Sequence, residues 1–115
     1  MAQAVIKGVG VDAVPVARMR LALERTPKLA ERVFTAAELD TAGRRASREA
    51  SLAARFAAKE ACRKALSTTL AWKAVEVVSE GRVPTLRVAG HSDVSFHVSL
   101  THTDSLAVAI VIAEV

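Results

Sequence analysis

The order of hydrophobic patterns along this 115-residue sequence predicts an α+β fold. An alternating strand pattern comes first, over Ala4–Val11, and helical patterns follow as far as Leu66. The remainder of the chain is typical of a small antiparallel sheet built from short strands. Since no linker, repeat or low-complexity segment interrupts this order, we expect residues 1–115 to form a single domain.

The composition indicates a globular protein with an anionic partner. Hydrophobic residues make up 51% of the chain, and the net charge of +4 favours nucleic acid, acidic protein surfaces or phosphorylated small molecules. Nucleic acid is disfavoured because the chain has three Phe, one Trp and no Tyr for stacking. The single cysteine, Cys62, excludes an internal disulfide. With no apolar stretch long enough for a bilayer, we predict a cytoplasmic protein without membrane contact.

The first strand has an almost bare face. Gly8 and Gly10 lie on the same side as Asp12, so another element can approach the backbone there, and Asp12 is expected at the exit of the strand. Pro15 suits the start of a following helix. Basic residues lie along the next helical pieces, namely Arg18, Arg25, Lys28 and Arg32. They predict a docking surface for an acidic partner, with general solubility as the alternative.

Two further patterns predict helices in the middle of the chain. Thr35 and Glu38 have the spacing of a capping box at a helix start. The stretch Ser51–Leu66 contains no helix breaker and consists mainly of strong helix formers, and its alanines form one broad face. These alanines are Ala53, Ala54, Ala57, Ala58, Ala61 and Ala65.

The central helix carries charges beside its alanine face. Glu60 and Lys64 lie one turn apart at its edge, near the cations of Lys59 and Arg63. If the alanine face packs on the bare strand, Asp12 and Glu60 can meet, and two neighbouring carboxylates favour a cation such as Mg²⁺. The alternative is that Asp12 caps the following helix and Glu60 pairs with Lys64.

The last third of the chain predicts strands. Ala74–Ser79 and Pro84–Val88 form a hairpin around a turn at 80–82. Val94–Leu100 alternates, so that His97, Ser99 and Thr101 share one face and line a pocket or make ordinary hydrogen bonds. Leu106–Ala113 is an apolar run typical of a strand that is covered on both sides.

Three motifs identify a family. Gly8–Asp12, Arg55–Ala65 and His97–Thr103 resemble, in order, the three motifs of the holo-acyl-carrier-protein synthases, small trimeric members of the 4′-phosphopantetheinyl transferase superfamily. The resemblance covers essentially the whole chain. It implies the phosphopantetheinyl transferase fold and a homotrimer whose active sites lie between subunits.

The resemblance also implies the reaction. The enzyme moves 4′-phosphopantetheine from coenzyme A to a serine of an apo acyl carrier protein from fatty-acid or polyketide synthesis. The transfer depends on Mg²⁺ and releases adenosine 3′,5′-bisphosphate. Phosphoryl-type transfer of this kind needs positioning and charge neutralisation above all.

The motifs carry residue roles over to this chain. By resemblance, Asp12 and Glu60 bind the metal, and these two acids with Lys64 are catalytic. The proton of the serine goes to Glu60 or to a water held by Glu60 or Lys64. Coenzyme A contacts are assigned by resemblance to Lys59, Lys64, Pro84 and His97. From charge alone, Arg55 joins Lys59, Arg63 and Lys64 in a cationic set that would neutralise the phosphates, with a solvated helix face as the alternative. Carrier contacts are assigned to Arg18, Arg25 and Lys28.

The connection after the central helix departs from the family. Members of the family usually have a glycine-containing loop here, which wraps the coenzyme A phosphates, whereas residues 66–70 are glycine-free and several residues are missing. The hydroxyls of Ser67 and Thr68 can replace the backbone amides of that loop. The alternative reading is a catalytically weakened homologue that still binds the carrier protein.

Overall fold

A computed structural model describes residues 3–79 and 83–115. The first half consists of strand β1 and four helices, and the second half consists of a short 3₁₀ turn and four strands. Their bounds are β1 Ile6–Pro15, α1 Val16–Arg25, α2 Leu29–Val33, α3 Ala36–Gly43, α4 Arg48–Leu66, the turn Trp72–Ala74, β2 Val75–Val78, β3 Thr85–Val88, β4 Ser95–His102 and β5 Leu106–Glu114. The predicted α+β class is confirmed.

The strands form two antiparallel sheets. One has three strands in the order β1-β5-β4, and the other is the β2–β3 pair, in which Val75 lies opposite Val88. The predicted hairpin is therefore confirmed by its pairing. Its predicted turn at 80–82 lies outside the described residues.

Strand β1 is longer than the sequence predicts. The prediction ended it at Val11, but antiparallel pairing with β5 continues through Asp12 to Pro15, which lies opposite Leu106. Proline is tolerated there because β1 is an edge strand. The expectation that Asp12 stands at the exit of the strand is therefore wrong, since Asp12 lies within the paired part.

Helix α4 lies at the centre of the core. Ser47 caps its start by accepting a hydrogen bond from Ala50 N at 3.2 Å, so the helix begins three residues before the predicted Ser51. One side packs on β1 and β5, and the other side contacts α1, α3 and β2. All six alanines of the predicted face are at most 3% exposed. Packing on both sides explains why charged residues of α4 are also buried.

The three-stranded sheet has one covered and one open face. Ala107, Ala109 and Val111 of β5 are buried beneath α4, whereas Leu106 and Ile110 on the opposite face are 39% and 40% exposed. The prediction that β5 is covered on both sides is wrong for the single chain. Val9 and Val11 of β1 extend the open apolar face.

No helix in the described ranges is long and apolar enough to cross a membrane.

Candidate active site

The bare face of β1 lies directly on the alanine face of α4, as the sequence predicts. A methyl group on Gly10 would lie 1.9 Å from the carbonyl oxygen of Ala61, and one on Gly8 would lie 1.8 Å from that of Ala65. Real Cβ atoms do not approach this closely. The two glycines therefore allow the strand and helix backbones to meet without intervening side chains.

The side chain of Lys64 joins β1 to α4 next to these glycines. Lys64 Nζ donates to the carbonyl oxygen of Val11 at 3.0 Å and lies 3.2 Å from Asp12 Oδ1. Glu60 precedes Lys64 by one helical turn and is partly buried. Asp12, Glu60 and Lys64, called here the acid site, form a polar group at the β1–α4 junction.

Neither alternative role is seen in the structure: Asp12 does not cap α1, and Glu60 does not pair with Lys64. The residue at the N-cap of α1 is Pro15, and no side chain caps that helix. Lys64 pairs with Asp12. Glu60 forms no salt bridge with any residue in 3–79 or 83–115. Asp12 is therefore balanced by Lys64, whereas Glu60 has no ion-pair partner within 3–79 and 83–115.

A second polar site lies near the other end of α4. It is a cleft of about 670 Å³ that contains two of the predicted coenzyme A residues, Arg55 and Pro84. We call it the arginine cleft. The structure adds residues that the sequence analysis did not assign: Arg45, Ser47, Ser51, Ser79, Leu100 and His102. In the sequence, Leu100 and His102 fall within the His97–Thr103 motif, whereas Arg45 and Ser47 belong to the basic run at 44–48.

Arg55 is held rigidly in the arginine cleft. It is 3% exposed, and its terminal nitrogens donate to Ser51 Oγ at 2.6 Å and Ser79 Oγ at 2.9 Å. Its Nε is buried without a hydrogen-bond partner in the described part of the chain. Burial lowers the pKa of Arg55, Glu38 opposes this effect and Arg45 adds to it. Two close guanidinium groups in one cleft favour an anionic ligand.

The acid site and the arginine cleft face different directions. Arg55 and Lys64 are nine residues apart on α4, which is about 14 Å along the axis and roughly half a turn around it. A single copy of the chain therefore presents two separate polar sites.

Lys59 is not available to bind a phosphate, so this predicted contact is wrong. Its side chain is fully buried, and Nζ lies 2.8 Å from Glu38 Oε1 while also donating to the carbonyl oxygens of Trp72 and Val75. The same Glu38 completes the predicted capping box with Thr35, which is confirmed. Burial lowers the pKa of Lys59, and the charge of Glu38 opposes the shift.

Replacing Lys59 with methionine is expected to lower the free energy of unfolding by about 3–5 kcal/mol, because it leaves Glu38 as a buried, uncompensated charge. The double variant Lys59→Met/Glu38→Gln should recover much of the loss. Lys73→Met, at an exposed position, is the matched control. Urea denaturation measures all three. Full stability of Lys59→Met combined with weaker coenzyme A binding would instead restore the phosphate role.

The remaining predicted coenzyme A residues lie at exposed positions. Ser67 ends α4 with φ 53° and ψ 39°, the left-handed conformation that usually selects glycine, and Thr68 follows it. This conformation explains how a glycine-free connection leaves the helix. His97 lies on the open sheet face with Ser99 and Thr101, so their shared face is confirmed. His97 Nε2 is 3.4 Å from Glu114 Oε1.

The basic residues assigned to the carrier protein are exposed together with a neighbouring apolar cleft. Arg18 and Arg25 are two helical turns apart on α1, and Lys28 directly precedes α2. A cleft of about 230 Å³ opens beside Arg18. It is lined by apolar side chains that include Met19, Phe56 and Trp72.

Comparison with known proteins decides the family. The sequence profile of the 4′-phosphopantetheinyl transferase superfamily matches residues 8–111. The chain belongs to this superfamily. The holo-[acyl-carrier-protein] synthases of Streptomyces griseus and Streptomyces coelicolor are 46% and 48% identical to it, and each alignment covers 95% of this chain and 98% of the relative.

Solved structures agree with the sequence comparison. A holo-acyl-carrier-protein synthase from Bacillus anthracis, solved in complex with CoA (3′,5′-ADP), superimposes with a TM-score of 0.84 at 33% identity, covering 95% of this chain and 96% of that one. The Mycobacterium tuberculosis acyl carrier protein synthase gives 0.78 at 34%, covering 95% and 97%. The predicted family, phosphopantetheinyl transferase fold and enzyme class are confirmed: this chain is a transferase.

Proposed function

We propose that this enzyme transfers 4′-phosphopantetheine from coenzyme A to a serine of an apo acyl carrier protein and releases adenosine 3′,5′-bisphosphate. The observation that carries the proposal is the acid site, where Asp12 pairs with Lys64, and Lys64 lies one helical turn from Glu60 on α4. The synthase relatives and the CoA-bound Bacillus anthracis structure support the same substrates. A carrier from fatty-acid or polyketide synthesis fits this activity.

Mg²⁺ fits the donor set of the acid site. No group of three or more His, Cys, Asp or Glu side chains in 3–79 and 83–115 is placed to hold a metal by itself. Mg²⁺ usually takes one or two carboxylates and completes its shell with water and substrate phosphates. Asp12 and Glu60 would hold it, and it would polarise the diphosphate of coenzyme A. Lys64 neutralises charge on the phosphates, and Glu60 or a water beside it receives the serine proton.

The arginine cleft provides a place for the other phosphate-bearing end of coenzyme A. Arg45 and Arg55 supply positive charge, the serine hydroxyls supply hydrogen bonds, and Pro84 supplies an apolar wall. Since this cleft and the acid site face different sides of α4, we propose that each complete site combines the acid site of one copy with the arginine cleft of another.

The open sheet face supports association between copies, which we propose is the homotrimer that the family resemblance implies. Val9, Val11, Leu106 and Ile110 expose 39–56% of their surface in one contiguous apolar area, which an oligomer would cover. His97 lies at the edge of this area on β4, opposite Ile112. In an oligomer it would therefore lie at the boundary between copies, where it can reach a bound coenzyme A.

Carrier docking is proposed at α1. Arg18, Arg25 and Lys28 are exposed cations that fit an acidic helix, and the apolar cleft beside Arg18 would accept an apolar side chain of the same partner. Such charges mainly accelerate the encounter, so the rate of association should fall with ionic strength.

Intact-mass spectrometry tests the proposal directly. The chain, coenzyme A, Mg²⁺ and a panel of apo carrier proteins should yield carriers heavier by one phosphopantetheine group, and EDTA should stop the reaction. Carrier binding without any mass increase, under conditions where a Streptomyces synthase works, would instead favour the weakened carrier-binding homologue. The glycine-free connection is the observation that supports this second candidate.

A further inference from the structure

Arg63 contacts the connection between α4 and β2 through two side-chain interactions and one main-chain hydrogen bond. Arg63, on the last turn of α4, lies with its guanidinium carbon 3.4 Å from the centre of the Trp72 ring. Its Nη2 donates to the carbonyl oxygen of Leu70. Its own carbonyl oxygen accepts from Thr68 N at 3.2 Å. Arg63 therefore contacts the connection near its start, its middle and its end.

The far side of these contacts is anchored in the core. The Trp72 ring lies 5.0 Å from that of Phe56, and the Trp72 carbonyl accepts from the buried Nζ of Lys59 at 3.0 Å. The Arg63 guanidinium thus rests on a ring that cannot easily move. A guanidinium stacked on an indole and bonded to a carbonyl fixes both its distance and its orientation.

The connection itself needs such support. It contains no glycine, and Ser67 adopts a left-handed conformation that is unfavourable for a residue with a side chain. By the family resemblance, the hydroxyls of Ser67 and Thr68 replace the backbone amides that contact the coenzyme A phosphates. A short segment that binds phosphate must keep its hydroxyls and amides in one arrangement.

We propose that Arg63 is a positioning residue that holds the connection 67–71 in the shape required for coenzyme A phosphates. This inference rests on the proposed function. Arg63 itself does not touch the substrate. It replaces the glycine-containing loop as the element that sets the local backbone.

Arg63→Gln tests the proposal, because it keeps a polar side chain but removes the guanidinium. We expect the KM for coenzyme A to rise about tenfold, with kcat and the KM for the carrier changed less than about twofold. The KM of Arg63→Lys for coenzyme A should lie between that of the wild-type chain and that of Arg63→Gln. The matched control is Lys73→Gln, which removes one positive charge from an exposed position next to Trp72.

A second readout does not depend on activity. The chain has one tryptophan, so its fluorescence reports on Trp72 alone. In Arg63→Gln, acrylamide should quench this emission more strongly, and amide exchange over residues 67–71 should accelerate. Lys73→Gln should leave both unchanged.

The possible results distinguish a failure of the proposed function from a failure of the proposed role of Arg63. A wild-type chain that transfers nothing would overturn the proposed function, while quenching and exchange would still measure the Arg63 contacts. The positioning role would be overturned if Arg63→Gln had the same acrylamide quenching, amide exchange and KM for coenzyme A as the wild-type chain. So would an equal rise of both KM values with a lower Tm, since that result indicates a general loss of stability.

Discussion

Gly10→Ala is expected to cost at least about 4 kcal/mol of the free energy of unfolding, enough to leave much of the chain unfolded. The added methyl group would lie 1.9 Å from the Ala61 carbonyl oxygen and 2.9 Å from Ala65 N. These are backbone atoms of a helix that packs on both sides, so they cannot move away cheaply. Urea denaturation followed by circular dichroism measures the loss.

Gly43→Ala is the matched control for that prediction. Gly43 ends α3, and a methyl group there would have nothing within 4 Å. It should therefore leave stability unchanged or raise it by up to about 1 kcal/mol, since alanine favours a helix more than glycine does. A Gly10→Ala variant as stable as Gly43→Ala would show that β1 and α4 do not lie as close as described.

The close contact of β1 and α4 was predictable because it depends on residue size alone. Gly8, Gly10 and the alanines of α4 can each accept a near neighbour, and few other elements of the chain can. The capping box of Thr35 and Glu38 was predictable for a similar reason, since it is formed within four consecutive residues. Such local or steric signals do not require knowledge of the rest of the fold.

The environments of the charged residues were not predictable in this way. The helical pattern places Lys59 and Arg55 on a face that is usually solvated, yet α3 and β2 cover that face. Glu38, which the sequence marks only as a capping residue, is the buried partner of Lys59 from 21 residues away. The length of β1 was missed similarly, because β5 supplies the pairing that extends it to Pro15.

The arginine cleft shows the same limit of sequence reasoning. Arg45, Ser51, Ser79 and His102 come from four separate parts of the chain, and only the folded arrangement brings them together. By contrast, the close packing of the elements that carry Asp12 and Lys64 was predicted, although the pairing of Asp12 with Lys64 was not.

Asp12→Asn and Glu60→Gln are each expected to reduce transfer at least about 100-fold without loss of fold, because each removes a charge from the proposed metal site while keeping the shape of the side chain. Asp40→Asn is the matched control, because its carboxylate is exposed and pairs only with Arg44. Higher Mg²⁺ concentration should partly restore Asp12→Asn. Full activity in either variant, measured by intact mass, would exclude a metal at this site.

The same variant distinguishes one-copy from two-copy active sites. Asp12→Asn disables the acid site, and Arg55→Gln disables the arginine cleft, so each should be inactive alone. When equal amounts of the two are unfolded and refolded together as the proposed trimer, about a quarter of all sites should combine an intact acid site with an intact cleft, because each half is drawn at random from a neighbouring copy. The refolded mixture should therefore regain about a quarter of the wild-type activity. Mixed trimers that form, by native mass spectrometry, yet stay inactive would show that each copy builds its own site.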